Sequence, residues 1–470
     1  MKFQGGFNVL LEGRPEGLVK VMPEPKVLYL PLQTKRFNFS DVRVTEGDNV
    51  EPGEFLATDP DNYSIPLLAP RAGKVRLDVA AGYIVLDEIA RHEEHPHTDE
   101  DEMSHIVQEM GAGGIKRYKL LNLGAWEFFS EAYSGNVPDP LGTPQAVIVS
   151  TVSLEPFVAR GDAQLHNRLL QFTRGLEHLQ SLLEYQPIYL IMPDITSAFA
   201  TRVREHIRGY AWVKLIEVPM RYPYDNFNIL ARKFGLKKEA GPVWSIKTEG
   251  VLAVDRALTM SKPCLLRILS VGGPRVHSPI HICVMPGYPL KKILDTYASG
   301  YDYRVIINGM LSGEMMAIDA LGVDSECRGL TIISELKERE FLGFVRPGWD
   351  RQSYSECFLS SLRKNFRERF TTAFRGEGRP CVSCNYCAEV CPAEILPHRI
   401  HKYLYSDLIE EADASRVDLC VQCGLCSFVC PSKIELKQQF FDAKIEIEQE
   451  KEEARLEALK REQEAQESAE

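Results

Sequence analysis

The stretch CVQCGLCSFVCPSK spans Cys420–Lys433, and a near copy, CVSCNYCAEVCPAE, spans Cys381–Glu394. Both read C-x2-C-x2-C-x3-C-P: Cys381, Cys384, Cys387, Cys391 and Pro392, then Cys420, Cys423, Cys426, Cys430 and Pro431. Eight of the chain's 12 cysteines fall in these two runs. Eight thiols can form disulfides, hold zinc or hold iron–sulfur clusters, and the spacing separates the three. A disulfide framework belongs to secreted chains, and the N-terminus MKFQGGFNVLLEGRPEG lacks the charged start and unbroken apolar run of a signal peptide. Structural zinc sites favour two CxxC pairs divided by a longer loop, without a repeated third and fourth cysteine. Two complete tandem runs point to iron and sulfide.

This is the spacing of two-cluster bacterial ferredoxins. Three closely spaced thiolates in a loop can wrap three irons of a cubane. The fourth cysteine opens a helix leading toward the other cluster, and the proline after it suits a first helical turn. In folds of this kind the fourth ligand is exchanged. One [4Fe–4S] cluster is therefore expected on Cys381, Cys384, Cys387 and Cys430, and a second on Cys420, Cys423, Cys426 and Cys391. Adjacent clusters imply single-electron conduction in preference to bond chemistry.

Outward from this domain, the 470 residues are enough for several domains with ample core. The apolar runs AVIVSTV (Ala146–Val152) and IYLIM (Ile188–Met192) have strand length, far below the ~18 residues of a membrane span. The net charge of −11 is concentrated in Asp442–Glu470, with eleven acidic and five basic residues. The balance elsewhere excludes the basic face that nucleic-acid binding needs.

Residues 1–90 read as a β-rich module. VRVTEGDNVEPGEFLATD (Val42–Asp59) and SIPLLAPRAGKVRLD (Ser64–Asp78) alternate between Gly- and Pro-rich turns, a pattern resembling the barrel-sandwich hybrid of biotinyl and lipoyl carriers. Lys74 lacks the flanking residues of a modified carrier lysine and reads as scaffold. RHEEHPHTDEDEMSH (Arg91–His105), with His92, His95 and His97, reads as a solvated linker. Residues 106–260 alternate strand, helix and strand, including one helix over Ala163–Tyr185, and predict a Rossmann-like parallel sheet. Residues 261–350 resemble a β-grasp module of the soluble-ligand-binding (SLBB-like) type, with a Pro-Gly turn and short helix in HICVMPGYPLKKILDTY (His281–Tyr297). The dicluster domain takes residues 351–436. The tail, 437–470, is expected to be a charged helix without an apolar face to pack. The remaining thiols, Cys264, Cys283, Cys327 and Cys357, are expected to be small buried apolar groups. The expected fold class is thus multidomain α+β and α/β, closed by a two-[4Fe–4S] ferredoxin-like α domain and a helical tail.

Beyond the cysteines, three segments carry a resemblance to the NqrA subunit of the Na+-translocating NADH:quinone oxidoreductase. They are GAWEFFSEAYSGNVPDPLGTPQAVIVS (from Gly124), VWSIKTEGVLAVDRALTMSKPCLLRILSVGGPRVHSP (from Val243) and EREFLGFVRPGWDRQSYSECFLSSL (from Glu338). The complete cluster motifs resemble those of the RnfC subunit of the Rnf complex. The flavin-bearing relatives carry a Gly-rich GxGGxGFPT loop, and its counterpart here is NLGAWEFFSEAYSG (Asn122–Gly135). Trp126, Glu127, Phe128 and Phe129 stand where those relatives have glycines, so neither FMN nor NADH is expected to bind this chain. GAGG (Gly111–Gly114) follows no strand and reads as a linker or cap, and Glu155 in SLEP echoes the flavin-side ECEP.

The resemblance implies a peripheral subunit on the cytoplasmic side of the inner membrane. Its expected partners are the membrane-embedded and flavin-bearing subunits of an Nqr- or Rnf-type complex, and a soluble electron-donor protein. His277 and His281 are candidate donors to a quinone oxygen, with satisfied core or surface histidines as the plainer reading. Catalysis by the isolated chain has no residue candidate.

Overall fold

The computed structural model describes residues 3–87, 111–183, 186–317, 319–336, 347–363, 366–372 and 378–467. The linker with His92, His95 and His97 lies outside the described residues. Among the described residues the molecule is a mixed α/β multidomain structure with four sheets and a C-terminal cysteine-rich region.

Residues 27–87 form two small antiparallel sheets. One runs Val27–Pro31, Tyr83–Asp87, Gly73–Asp78, Asn49–Val50; the other runs Asp41–Val42, Phe55–Asp59, Ile65–Leu68. Alternation puts Leu28, Leu30, Leu56, Ile84 and Leu86 in the buried layer. Lys74 is a strand residue held between Asn49 and Asp87. The chain before this module goes elsewhere: Val19–Val21 adds a parallel edge to Ile280–Val284 in a six-stranded sheet.

The central sheet is parallel over the order Val213–Val218, Ile188–Pro193, Ala146–Ser150, Val243–Lys247, with Phe129–Glu131 antiparallel at the edge. Ala146–Ser150 is buried along its full length, as a central parallel strand covered on both faces requires. The crossover helix Leu169–Leu182 packs closely on Thr248–Met260, the helix that leads out of the sheet. A Cβ on Gly175 would stand 2.4 Å from the Val251 carbonyl oxygen, so glycine there sets the interhelical approach. The single helix expected over Ala163–Tyr185 is in fact broken: Gly161–Gln164 and Leu169–Leu182 are separate, with Asn167 left-handed at φ 57°. Asparagine tolerates that conformation and turns the chain. GAGG is the first turn of helix Gly111–Asn122.

The six-stranded sheet, with helix Leu290–Tyr297 against it, follows the central domain. Its seam with the rest of the body is ionic. Arg267 pairs with buried Glu127 and donates to the carbonyls of Cys264 (2.6 Å) and Ser325 (3.1 Å). Arg36 pairs with Glu326 at 2.5 Å and donates to the Glu127 carbonyl at 2.6 Å. Trp126 and Phe129 are fully buried beside this seam, stacked at 4.7 Å, and Trp126 donates its indole N–H to the Pro138 carbonyl.

Two of the scattered thiols, Cys283 and Cys327, are buried as expected, but Cys264 is half-buried and Cys357 exposed. Cys357 follows a polar Ser-Tyr-Ser-Glu stretch that gives it no apolar wall. The tail also departs from expectation. Helix Leu436–Glu467 buries Leu436, Phe440, Ala443 and Ile447, and three of these, Leu436, Phe440 and Ile447, join the core of the cysteine-rich region. Those residues lie three, four or seven apart, so a narrow apolar stripe exists in the first turns before the charged run hides it.

His281 is buried at the strand Ile280–Val284, its Nδ1 2.8 Å from Ser270 Oγ, while His277 stacks on Tyr297. Burial, with Arg160 and Arg14 nearby, pushes the imidazole down to about 4. The fold holds the neutral ring. Stability is therefore complete above pH ~6.5 and falls as pH drops toward about 4, by at most ~3 kcal/mol. Urea unfolding of the wild type and His281→Gln between pH 7 and 4.5 should show a shallower acid loss in the variant. At the ionic seam, Arg267→Met should strand the Glu127 carboxylate and lower unfolding free energy by ~3–5 kcal/mol. Truncating exposed Lys35, which pairs with Glu314, should cost under ~1 kcal/mol in the same assay.

Candidate iron–sulfur centre

The two cysteine runs begin at positions 381 and 420, thirty-nine residues apart, and the backbone repeats with that offset. Ser383 and Gln422 are left-handed at φ 56° and 57°, Asn385 and Gly424 at 68° and 76°, Glu394 and Lys433 at 58° and 59°. Short helices follow at Tyr386–Glu389 and Leu425–Val429, then longer ones at Pro397–Tyr405 and Leu436–Glu467. Each left-handed residue reverses the chain so that successive backbone N–H groups turn toward the loop's centre.

The result is two cavities. Cys381, Cys384, Cys387 and Cys430 line one. Cys391, Cys420, Cys423 and Cys426 line the other. Each takes three thiols from one run and one from the other. The remaining walls obey the same offset: Pro431, Ile434 and Leu436 in the first answer Pro392, Ile395 and Pro397 in the second. Among the described residues no three His, Cys, Asp or Glu side chains form a group suited to a single metal ion. Here the thiols ring a volume instead.

The donor set fits a cluster. Burial pushes the Cys387 thiol up to about 11, and also raises Cys391, Cys420, Cys423 and Cys426. Neighbouring thiols push Cys423 and Cys426 in the same direction. Four thiolates gathered in one cavity need a cationic centre to be held ionised. Backbone N–H groups meet the sulfurs as well: those of His398 and Ala388 for Cys387, Ala393, Glu394 and Ile395 for Cys391, Gln422 for Cys420, Leu425 for Cys423, Ser427 for Cys426. Such donors suit sulfur that carries charge.

The two loops face different surroundings. In the first, Val382, Ser383 and Asn385 are exposed. In the second, the counterparts Val421 and Gln422 are half-buried and Gly424 is buried against the body. Tyr222 donates its hydroxyl to the Cys423 carbonyl at 2.8 Å, and Arg232 donates to the Leu419 carbonyl at 3.0 Å. Gly6 N–H reaches the Val390 carbonyl at 2.8 Å, and Lys233 pairs with Glu394 at 2.6 Å. Gly424 lies so close to the body that a Cβ there would stand 2.6 Å from the Leu311 carbonyl oxygen. The loop Leu311–Ser312 is fixed from both sides. The Glu155 carboxylate accepts from the N–H of Leu311 at 2.7 Å and the hydroxyl of Ser312 at 2.8 Å, and the Lys437 ammonium donates to both carbonyls at 3.2 and 3.3 Å.

Every cysteine of the two runs thus lies in one of the two cavities. Glu155 is a clamp on the body loop that covers the second cavity. His277 and His281 lie in or beside the six-stranded sheet and line neither cavity. Sequence reasoning missed Tyr222, Lys437, His398 and His401. The last three were findable by applying the offset of the motifs to the helices behind them.

Comparison with known proteins adds the family context. Residues 380–435 match the family described as 4Fe-4S dicluster domain, and residues 114–261 match the NqrA second alpha/beta domain. The NqrA protein of the Na(+)-translocating NADH-quinone reductase of Alcanivorax borkumensis is 26% identical over 77% of this chain and 80% of its own length. That of Neisseria meningitidis serogroup A is 26% identical over 84% and 87%. A chain of the air-oxidized NAD+-reducing [NiFe]-hydrogenase crystal structure aligns with a TM-score of 0.41 and 14% identity, covering 79% of this chain and 75% of that one. The chain is homologous to these NqrA subunits and carries a 4Fe-4S dicluster domain at its C-terminal end.

Docking of the second loop can be probed at Gly424. Gly424→Asn installs the residue of the equivalent position 385, keeps the left-handed turn and overlaps the Leu311 carbonyl. Amide hydrogen exchange at Leu311 and Ser312 should quicken in this variant while exchange in the helix Pro397–Tyr405 stays as it was.

Proposed function

We propose that this homologue of the NqrA subunits is a peripheral electron-transfer subunit of an ion-translocating NADH:quinone oxidoreductase complex of the Nqr or Rnf kind. It relays single electrons through two [4Fe–4S] clusters between a protein donor and the membrane-embedded subunits. The observation that carries this reading is the reciprocal sharing of thiols: each cavity is ringed by three cysteines of one run and the fourth of the other. When bound, a cubane supplies a one-electron couple whose potential is set by charge, hydrogen bonds to sulfur and exposure.

The chain's own residues do the rest. Cys381, Cys384, Cys387 and Cys430 would hold one cluster, and Cys420, Cys423, Cys426 and Cys391 the other. The apolar walls Ile395, Pro397, Ile434 and Leu436 keep bulk water from the sulfurs. The exposed first loop is open to a partner, and the body packs against the second. The electron source is read as another protein, because Trp126 and Phe129 pack solidly at the position of the flavin-side glycines. No helix among the described residues is long and apolar enough to cross a membrane. The chain works in this reading as a peripheral subunit on the cytoplasmic face, and its complex, not the chain, moves the ion.

The test is ligand-by-ligand. In the full chain purified without oxygen, Cys430→Ala should remove the same cluster as Cys381→Ala, and Cys391→Ala the same as Cys420→Ala. Each variant should lose about half the iron and one of two reduced-state EPR signals. Pairing by run instead of by exchange, or zinc in place of iron, defeats the proposal. Bound FMN with NADH-dependent bleaching of the clusters would replace it with a flavoprotein reading.

A further inference from the structure

The two cavities repeat closely except where the helix behind each one enters it. At the offset of thirty-nine, the first cavity has His398 and His401, and the second has Lys437 and Phe440. Lys437 is the only Lys or Arg among the described residues that line either cavity. It is half-buried, and its ammonium is fixed by the carbonyls of Leu311 and Ser312, which the Glu155 carboxylate holds in turn. The equivalent His398 presents a buried Nδ1 without a hydrogen-bond partner, and His401 Nδ1 lies 2.8 Å from Gln439 Oε1. More positive charge surrounds the second loop through Lys444, which donates to the Cys420 carbonyl at 3.3 Å, and Arg232 at Leu419. At the first loop the comparable contact is Lys402 on the exposed Ser383 hydroxyl.

Adding an electron adds a negative charge to a cavity already holding four thiolates. A fixed cation in the wall, shielded from solvent, lowers the cost of that charge. Exposed cations at the first loop are screened and count for less. We propose that Lys437 is a positioning residue that makes the second cavity, the one whose loop packs against the body, the electron sink of the pair. Relay thus runs from the exposed first loop inward. One electron moves at a time, taken from a one-electron donor protein and passed to an acceptor, with no bond formed or broken. Glu155 acts through Lys437: by clamping Leu311 and Ser312 it fixes the carbonyls that aim the ammonium.

This inference rests on the two-cluster reading, and one experiment separates them. EPR-monitored redox titration of the full chain, with dithionite as reductant, should first show two one-electron waves; their absence sinks the underlying reading. Given two waves, Lys437→Met should lower the higher-potential wave and leave the lower one in place, and Lys437→Arg should restore it. His398→Lys, which puts the same charge at the equivalent place in the first cavity, should raise the lower wave. A Lys437→Met variant that shifts both waves, the lower one or neither overturns the proposal. If Lys437→Met fails to retain its iron, an unmoved lower wave in His398→Lys overturns it instead. A residue that merely glued the body loop would change thermal stability without moving one wave selectively.

Discussion

The exchange of the fourth cysteine between the two runs is the constraint on which the C-terminal region depends. Cys391 leaves its own loop to complete the second cavity, and Cys430 returns to complete the first. Neither loop can close alone, so the two halves must fold against each other with the longer helices crossing behind. Sixty-odd residues of this kind bury little apolar surface, essentially Ile395, Ile400, Val417, Leu436, Phe440 and Ile447 around the sulfurs. Small domains with so modest a core need additional staples, which clusters held by these cysteines would supply.

The body breaks a symmetry that the sequence repeat would otherwise preserve. Position 385 is an exposed asparagine and position 424 a buried glycine, although both need the left-handed backbone. Glycine at 424 answers a second demand, the 2.6 Å approach of the Leu311 carbonyl. Gly5 has the same double role at the Cys391 carbonyl, where a Cβ would stand at 2.5 Å with φ at +74°. Docking is thus written into backbone contacts that tolerate no side chain, backed by Tyr222, Arg232 and the Lys233–Glu394 pair. That kind of interface suits a fixed seat better than a mobile domain, because a shift of a few tenths of an ångström already produces overlap.

Much of this was legible in the sequence, for identifiable reasons. The strands Ala146–Ser150 and Ile188–Pro193 announce themselves because parallel strands covered on both faces read as apolar runs, while the edge strand Val213–Val218 shows instead as an apolar stretch interrupted by exposed Lys214 and Glu217. The cysteine runs do so because ligand spacing is rigid chemistry. The break at Asn167 was hidden, since apolar residues keep helical spacing on both sides of it and only one left-handed residue interrupts them. The buried stripe of the last helix was hidden by the acidic run that follows, which dominates any average over the segment. The roles of Tyr222 and Glu155 could not be found locally at all. Tyr222 is 201 residues from Cys423 and Glu155 is 157 from Ser312, and only the folded chain joins them.

The asymmetry between the cavities bears on why the body is needed. A free two-cluster domain with matched walls would hold its two electrons on nearly equal terms, and passage in either direction would be equally favoured. Three features distinguish the two cavities here: covering one loop and exposing the other, placing an ammonium where the repeat has an imidazole, and anchoring that ammonium to a loop of the body. The first changes solvent screening, the second changes fixed charge, and the third ensures that the charge is aimed only when the domain is seated. Because Glu155, Ser312 and Lys437 form one continuous chain of contacts, the seating of the domain and the position of the ammonium are a single structural state. A body that only docked to its neighbours would not need to hold a residue of a cavity wall; this one does, through the Leu311 and Ser312 carbonyls on Lys437.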